Sequence, residues 1–278
     1  MRWNPGGRSS NVEDRRGRGL GGPVGIGGGI ITLILALIFG PGILSDSDGG
    51  TTADSHGEVG LTPADSAAEE PVVQFVSFLL DDIQLTWEGA FRRAGGSYRP
   101  ATLVLFRDGT RSACGVGQSA MGPFYCPLDE KVYLDLGFFD ELDRRFGAPG
   151  DFAQAYVVAH ELGHHVQHLL GLTARVREYQ RGDPAIANQL SVRMELQADC
   201  YAGVWAHAAA ERGHLETGDI QEGLGAASAV GDDRIQRRAG GSVDVDSFTH
   251  GSARERTEWF MRGYESGNST ACDTFAAR

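Results

Sequence analysis

The chain has 278 residues, with 37 Asp and Glu against 25 Lys and Arg, and its net charge of −12 argues against nucleic acid as a partner. The charge is uneven. Residues 1–23 carry Arg2, Arg8, Arg15, Arg16 and Arg18 against Glu13 and Asp14, a net +3, whereas residues 45–70 carry Asp46, Asp48, Asp54, Glu58, Asp65, Glu69 and Glu70 with no Lys or Arg, a net −7.

In chain order, residues 1–23 read as a disordered, Arg/Gly-rich cytoplasmic tail. Val24–Leu44 has no charged residue and would span about 30 Å as one transmembrane helix. Arginines on its N-terminal side predict a cytoplasmic N-terminus, with the rest of the chain beyond the membrane. A cleaved signal peptide is the alternative, but it calls for a small-x-small site, and Gly40-Pro41-Gly42 is a poor one. Residues 45–70 read as a flexible acidic stalk. Residues 71–278 have the length of one domain with a sizeable core.

Within that domain, Val72–Arg93 reads as a helix with Phe75, Phe78, Leu79, Ile83 and Trp87 on one side. Thr102–Phe106 and Lys131–Leu136 read as strands. The second is either an interior strand or an edge strand able to pair with an extended peptide. Gly137–Phe146 reads as a short helix, followed by longer ones over Asp151–Gly171, Pro184–Arg212 and Asp219–Val230, and a last one opened by the Ser252–Glu255 capping box. A small sheet followed by helices is an α+β order.

The chemistry concentrates in His160-Glu161-Leu162-Gly163-His164, an HExxH. Histidines at i and i+4 share one helix face, so both can reach one Zn²⁺, with Glu161 beside it as the base that activates water. His165 and His168 read as surface residues or as supports behind the ligands. The extended motif's third histidine is absent, because that position is Leu170 and the expected glycine is Gln167. Glu195 and Asp199, again i and i+4, supply the third ligand and a carboxylate to hold a ligand imidazole.

The four cysteines admit three pairings, of which Cys114–Cys126 and Cys200–Cys272 are expected outside the cytoplasm. A Cys₄ zinc site is excluded by the lack of a C-x₂₋₄-C pair. His250, just before the capped last helix, is the candidate donor to the developing oxyanion, or else a capping residue. Tyr264 is its rival. Gly231-Asp232-Asp233-Arg234 reads as an internal salt-bridge node, with contact to the site as the alternative.

HELGHHVQ, ELQADCYAGVWA, ASAVGDDRIQ and FTHGSARERTEWF together resemble the bacterial neutral zinc metallopeptidase family, and MRWNPGGRSSNVEDRRG resembles the N-terminus of its membrane-anchored members. The resemblance covers most of the chain from Met1 to Cys272. It implies a zincin-like fold, zinc on His160, His164 and Glu195, and Glu161 as general base, but no particular substrate. The expectation is a membrane-anchored zinc peptidase that hydrolyses peptide or protein substrates outside the cytoplasm. Its rivals are a catalytically idle zinc-binding scaffold of the envelope and a zinc hydrolase of non-peptide amides. The sequence leaves the oligomeric state open.

Overall fold

A computed structural model describes residues 1–17 and 63–276. The expected membrane helix, Val24–Leu44, lies outside them, as does most of the acidic stalk. Among the described residues no helix is long and apolar enough to cross a membrane.

The fold is α+β. Strand β1 (Val12–Asp14) precedes helix α1 (Pro63–Arg93), followed by β2 (Thr102–Phe106), β3 (Gly109–Ser112), β4 (Gly115–Gln118), β5 (Phe124–Cys126) and β6 (Lys131–Asp135). The rest is helical: α2 (Gly137–Arg144), α3 (Asp151–Leu169), α4 (Leu172–Gly182), α5 (Ala187–Glu211), α6 (Asp219–Ala229), α7 (Asp232–Arg238) and α8 (Ala253–Ser266). One mixed sheet has the order β1-β2-β6-β5, with β5 antiparallel to β6 and the others parallel, and β3 and β4 form a separate hairpin. The continuous apolar runs of β2 and β6 are explained by their central places, covered on both faces. Lys131–Asp135 is therefore interior, and the sheet's edge strands are β1 and β5.

The N-terminal residues differ from expectation. Instead of a free tail, they pack on the domain. β1 pairs with β2 in register Val12 to Leu103, the Met1 side chain is buried, and the Met1 amino group lies 2.8 Å from the Asp151 carboxylate at the start of α3. Trp3 packs on Phe75 and Phe78 of α1. Arg16 is buried and donates to Asp14 at 2.7 Å and to Glu69 at 2.6 Å. These ion pairs, with Arg8–Glu70 and Arg107–Glu69, hold the turn before Pro71 in α1, which begins at Pro63 instead of at Val72. Residues 63–70, expected in the stalk, are thus helical. Strands hydrogen-bonded in one sheet lie on one side of any membrane. A cytoplasmic N-terminus with the domain on the far side is corrected accordingly.

Helix α3 runs through the core. Phe152 stacks on Trp205 of α5, and Tyr156 meets Phe260 of α8 edge-on. Helices α5 and α8 cross at Gly203 and Gly263, where an added Cβ would lie 2.0 Å from the Phe260 carbonyl and 1.9 Å from the Cys200 carbonyl. No other residue fits that crossing. Both expected disulfides are present: Cys114–Cys126 ties the β4 loop to β5, and Cys200–Cys272 ties the C-terminal segment to α5.

Candidate metal centre

Helix α3 follows Gly150, which has φ +110°, and the chain turns away at Gly171, which has φ +75° and continues into α4. That span carries His160 and His164 on one face, toward α5. Between them, Gly163 lies against Ala198, which itself stands between Glu195 and Asp199; a Cβ on Gly163 would be 3.1 Å from the Ala198 Cα. The missing side chain lets the two helices approach until carboxylates on one reach imidazoles on the other.

His160 Nε2 lies 3.1 Å from Glu195 Oε2, and His164 Nε2 lies 3.5 Å from Glu195 Oε1. One ligand atom from each of the three residues lies within 4.8 Å of the other two. Zinc bonds of about 2.0–2.2 Å in a tetrahedron separate ligand atoms by about 3.3 Å, so this spacing fits the ion. The other ring nitrogens are occupied. His160 Nδ1 donates to Asp199 Oδ1 at 2.8 Å, and His164 Nδ1 donates to Gln167 Oε1 at 2.9 Å. These bonds fix both tautomers with Nε2 facing the cluster.

Electrostatics agree with that fit. Burial opposes the His160 imidazolium, but Asp199 and Glu195 outweigh it and raise its pKa to about 10. Burial opposes ionisation of Glu195, but His164 and His160 hold its carboxyl well below the usual range. A place where carboxylates favour a proton so strongly equally favours a cation in the proton's stead. Glu161 lines the same cleft, and burial pushes its carboxyl upward.

The cleft has a volume of ≈ 520 Å³. His160, Glu161, His164, Glu195 and His250 line it, as do Phe124 and Tyr125 of the edge strand β5. His250 Nδ1 is 3.1 Å from Asp232 Oδ1, while Asp232 Oδ2 accepts the backbone amides of Thr249, His250 and Gly251 at 2.7, 2.6 and 3.1 Å. Asp232 thus belongs to the site: it clamps the loop and leaves Nε2 of His250 for the cleft. Gly231 and Asp233 pack and cap beneath it, against Ala253.

Other expected residues fall elsewhere. Tyr264 lies where α8 meets Gly203, its ring 6.3 Å from that of His207, and is not among the residues lining the cleft. His165 is not at the surface. It is fully buried, donates from Nε2 to the Arg99 carbonyl at 2.6 Å and accepts from the Tyr125 hydroxyl at 2.9 Å, so it holds β5 against α3. Burial lowers its pKa. His168 is partly exposed, 3.4 Å from Glu130.

Two residues escaped the sequence reading. Gln167 was noted only as the position lacking a glycine, yet it anchors His164 and donates to the Met194 carbonyl at 2.7 Å and to Gln197 at 3.1 Å. Arg256 sits buried beside Asp199. The only signal for either was a polar residue inside an otherwise apolar helical stripe.

A family model described as "Putative neutral zinc metallopeptidase" matches residues 1–275. The "Uncharacterized protein YpfJ" of Escherichia coli K12 is 48% identical over 285 residues, covering 99% of each chain. The "Uncharacterized protein Rv2575" of Mycobacterium tuberculosis H37Rv is 46% identical over 191 residues, covering 65% of this chain and 64% of its own. No solved structure matches the chain.

Proposed function

The chain belongs to the neutral zinc metallopeptidase family, and from that premise and the site's geometry we propose that it is a zinc-dependent peptidase with a zincin-like catalytic arrangement. The carrying observation is the convergence of His160 Nε2, His164 Nε2 and a Glu195 oxygen beside Glu161 in an open cleft. Zn²⁺ held by those three would polarise a carbonyl and lower the pKa of water. Glu161 takes the proton of the attacking water and passes it to the leaving amine. His250, oriented by Asp232, donates from Nε2 to the oxygen that gains negative charge. Among the described residues strand β5 pairs on one side only, with β6, and lines the cleft, which supports an extended peptide over other amides, since backbone pairing needs no particular side chains.

Two disulfides favour an oxidising compartment outside the cytoplasm. The N-terminal segment goes there with the domain.

The test is cleavage of a peptide library by the zinc-loaded chain, with Glu161→Gln as control. The variant should hold stoichiometric zinc and lose at least about 10²–10⁴-fold of turnover, because an amide cannot act as base. Zinc-loaded Glu161→Gln with wild-type turnover would sink the assignment.

A further inference from the structure

Arg256 enters with the first turns of α8, a helix started by a complete capping box in which Ser252 accepts from the Glu255 amide. The next segment back is the His250 loop clamped by Asp232. Arg256 is buried, with 3% of its surface exposed. Its fork meets both oxygens of Asp199: Nε donates to Oδ2 at 2.8 Å and Nη2 to Oδ1 at 2.9 Å. Nη2 also donates to the Tyr156 hydroxyl at 3.1 Å, and Nη1 to the Val230 carbonyl at 3.3 Å. Tyr156 in turn donates to Asp199 Oδ1, the oxygen that accepts from His160 Nδ1. One carboxylate therefore joins α3, α5 and α8, and every donor around it is accounted for.

A lone buried carboxylate would be costly and free to rotate. A planar guanidinium that meets both of its oxygens fixes the carboxylate plane as well as its charge, which a lysine cannot do. We infer that Arg256 is a positioning residue of the metal centre: it holds Asp199 in the one orientation that keeps the His160 ring turned toward Glu195 and His164. It acts through Asp199 and does not touch the metal. Its bond to the Val230 carbonyl, two residues before the Asp232 that clamps the His250 loop, ties that segment to the same frame. This inference rests on the zinc reading above.

The test compares wild type, Arg256→Met, Arg256→Lys, Asp199→Asn and the Asp199→Asn/Arg256→Met double variant in the full chain. Zinc affinity is measured by chelator competition, and the melting temperature is recorded without metal. Arg256→Met should lose about 10–100-fold in zinc affinity, the usual effect of removing a group that orients a ligand. Arg256→Lys should recover part of that loss. The double variant should bind zinc no worse than either single one, since both act through one carboxylate. Wild-type zinc affinity in Arg256→Met, with or without a lower melting temperature, would make the residue merely structural. Full affinity in Arg256→Lys would overturn the orienting role of the planar fork, and additive losses in the double variant would show that the two residues do not act through one carboxylate. If Arg256→Met does not fold, the other variants decide by the same criteria. Zinc uptake by wild type without peptide cleavage overturns the peptidase reading alone. Cleavage by wild type with unchanged zinc affinity in Arg256→Met overturns the positioning role alone. A wild type that takes up no zinc overturns both.

Discussion

At the scale of single residues, the site is a set of nitrogens and oxygens whose directions are decided by their second contacts. His250 is the clearest case. Alone it is a histidine ahead of a helix, as consistent with capping as with catalysis. Asp232 changes that, because it ties up Nδ1 and three backbone amides together. His250→Ala should lower kcat and kcat/KM together by about 10²–10³-fold with zinc content unchanged, the signature of losing a donor used only in the transition state. Unchanged steady-state kinetics would return it to a packing role. The placement of His160 and His164 on one face beside Glu161 was legible because HExxH encodes its geometry within one helical turn. Glu195 and Asp199 were legible as a second pair of the same spacing. Gln167 and Arg256 were not, because a polar residue within an apolar stripe shows burial at most and does not name the group that it anchors.

At the scale of elements, most boundaries were readable to within a few residues. β2 was read at its observed limits, and the capping box opens α8 as its spacing implies. β3, β4, β5, α4 and α7 were not read, being short and without a clear apolar period. β1 and the first turns of α1 likewise have too little apolar periodicity to announce themselves and are held by partners remote in sequence. Arg16 shows this in energy. Removing its side chain should cost about 1–3 kcal/mol of unfolding free energy near pH 7, the range for hydrogen bonds to charged groups. The pH dependence follows from Asp14, whose pKa is lowered to about 2, chiefly by its hydrogen bonds from Arg16. A carboxylate depressed in the folded state stabilises above its unfolded value of 3.8 and ceases to as pH falls through about 2. The stability gap between wild type and Arg16→Ala should therefore narrow as pH drops from about 4 towards 2. Urea titrations at several pH values measure it, and a gap that widens in acid would rule out the pairing.

At the scale of the whole molecule, the sheet constrains topology more firmly than any hydropathy argument. β1 and β2 share a ladder, so residues 12–14 and the rest of the sheet lie on one side of any membrane. All four cysteines are paired, which leaves no native thiol to confuse labelling. Ser10→Cys and Ser97→Cys, both at exposed positions, should react alike with a membrane-impermeant maleimide on intact cells or spheroplasts: both labelled, or both protected until lysis. Labelling of one and protection of the other would show the sheet to be broken across a membrane.

What the sequence by itself determined was everything carried by spacing within one element. The helix of His160, Glu161 and His164 and the carboxylates of Glu195 and Asp199 follow from the 3.6-residue helical period, the two buried strands from short apolar runs, and the last helix from its capping box. Only the tertiary structure decided what those elements meet. It set Gly163 against Ala198 so that four side chains converge. It brought Arg256 beside a histidine 96 positions earlier, turned His250 into the cleft, gave an edge of the sheet to β5, and made the first residues part of the domain. Those contacts join distant segments by packing and by hydrogen bonds whose partners no local pattern specifies.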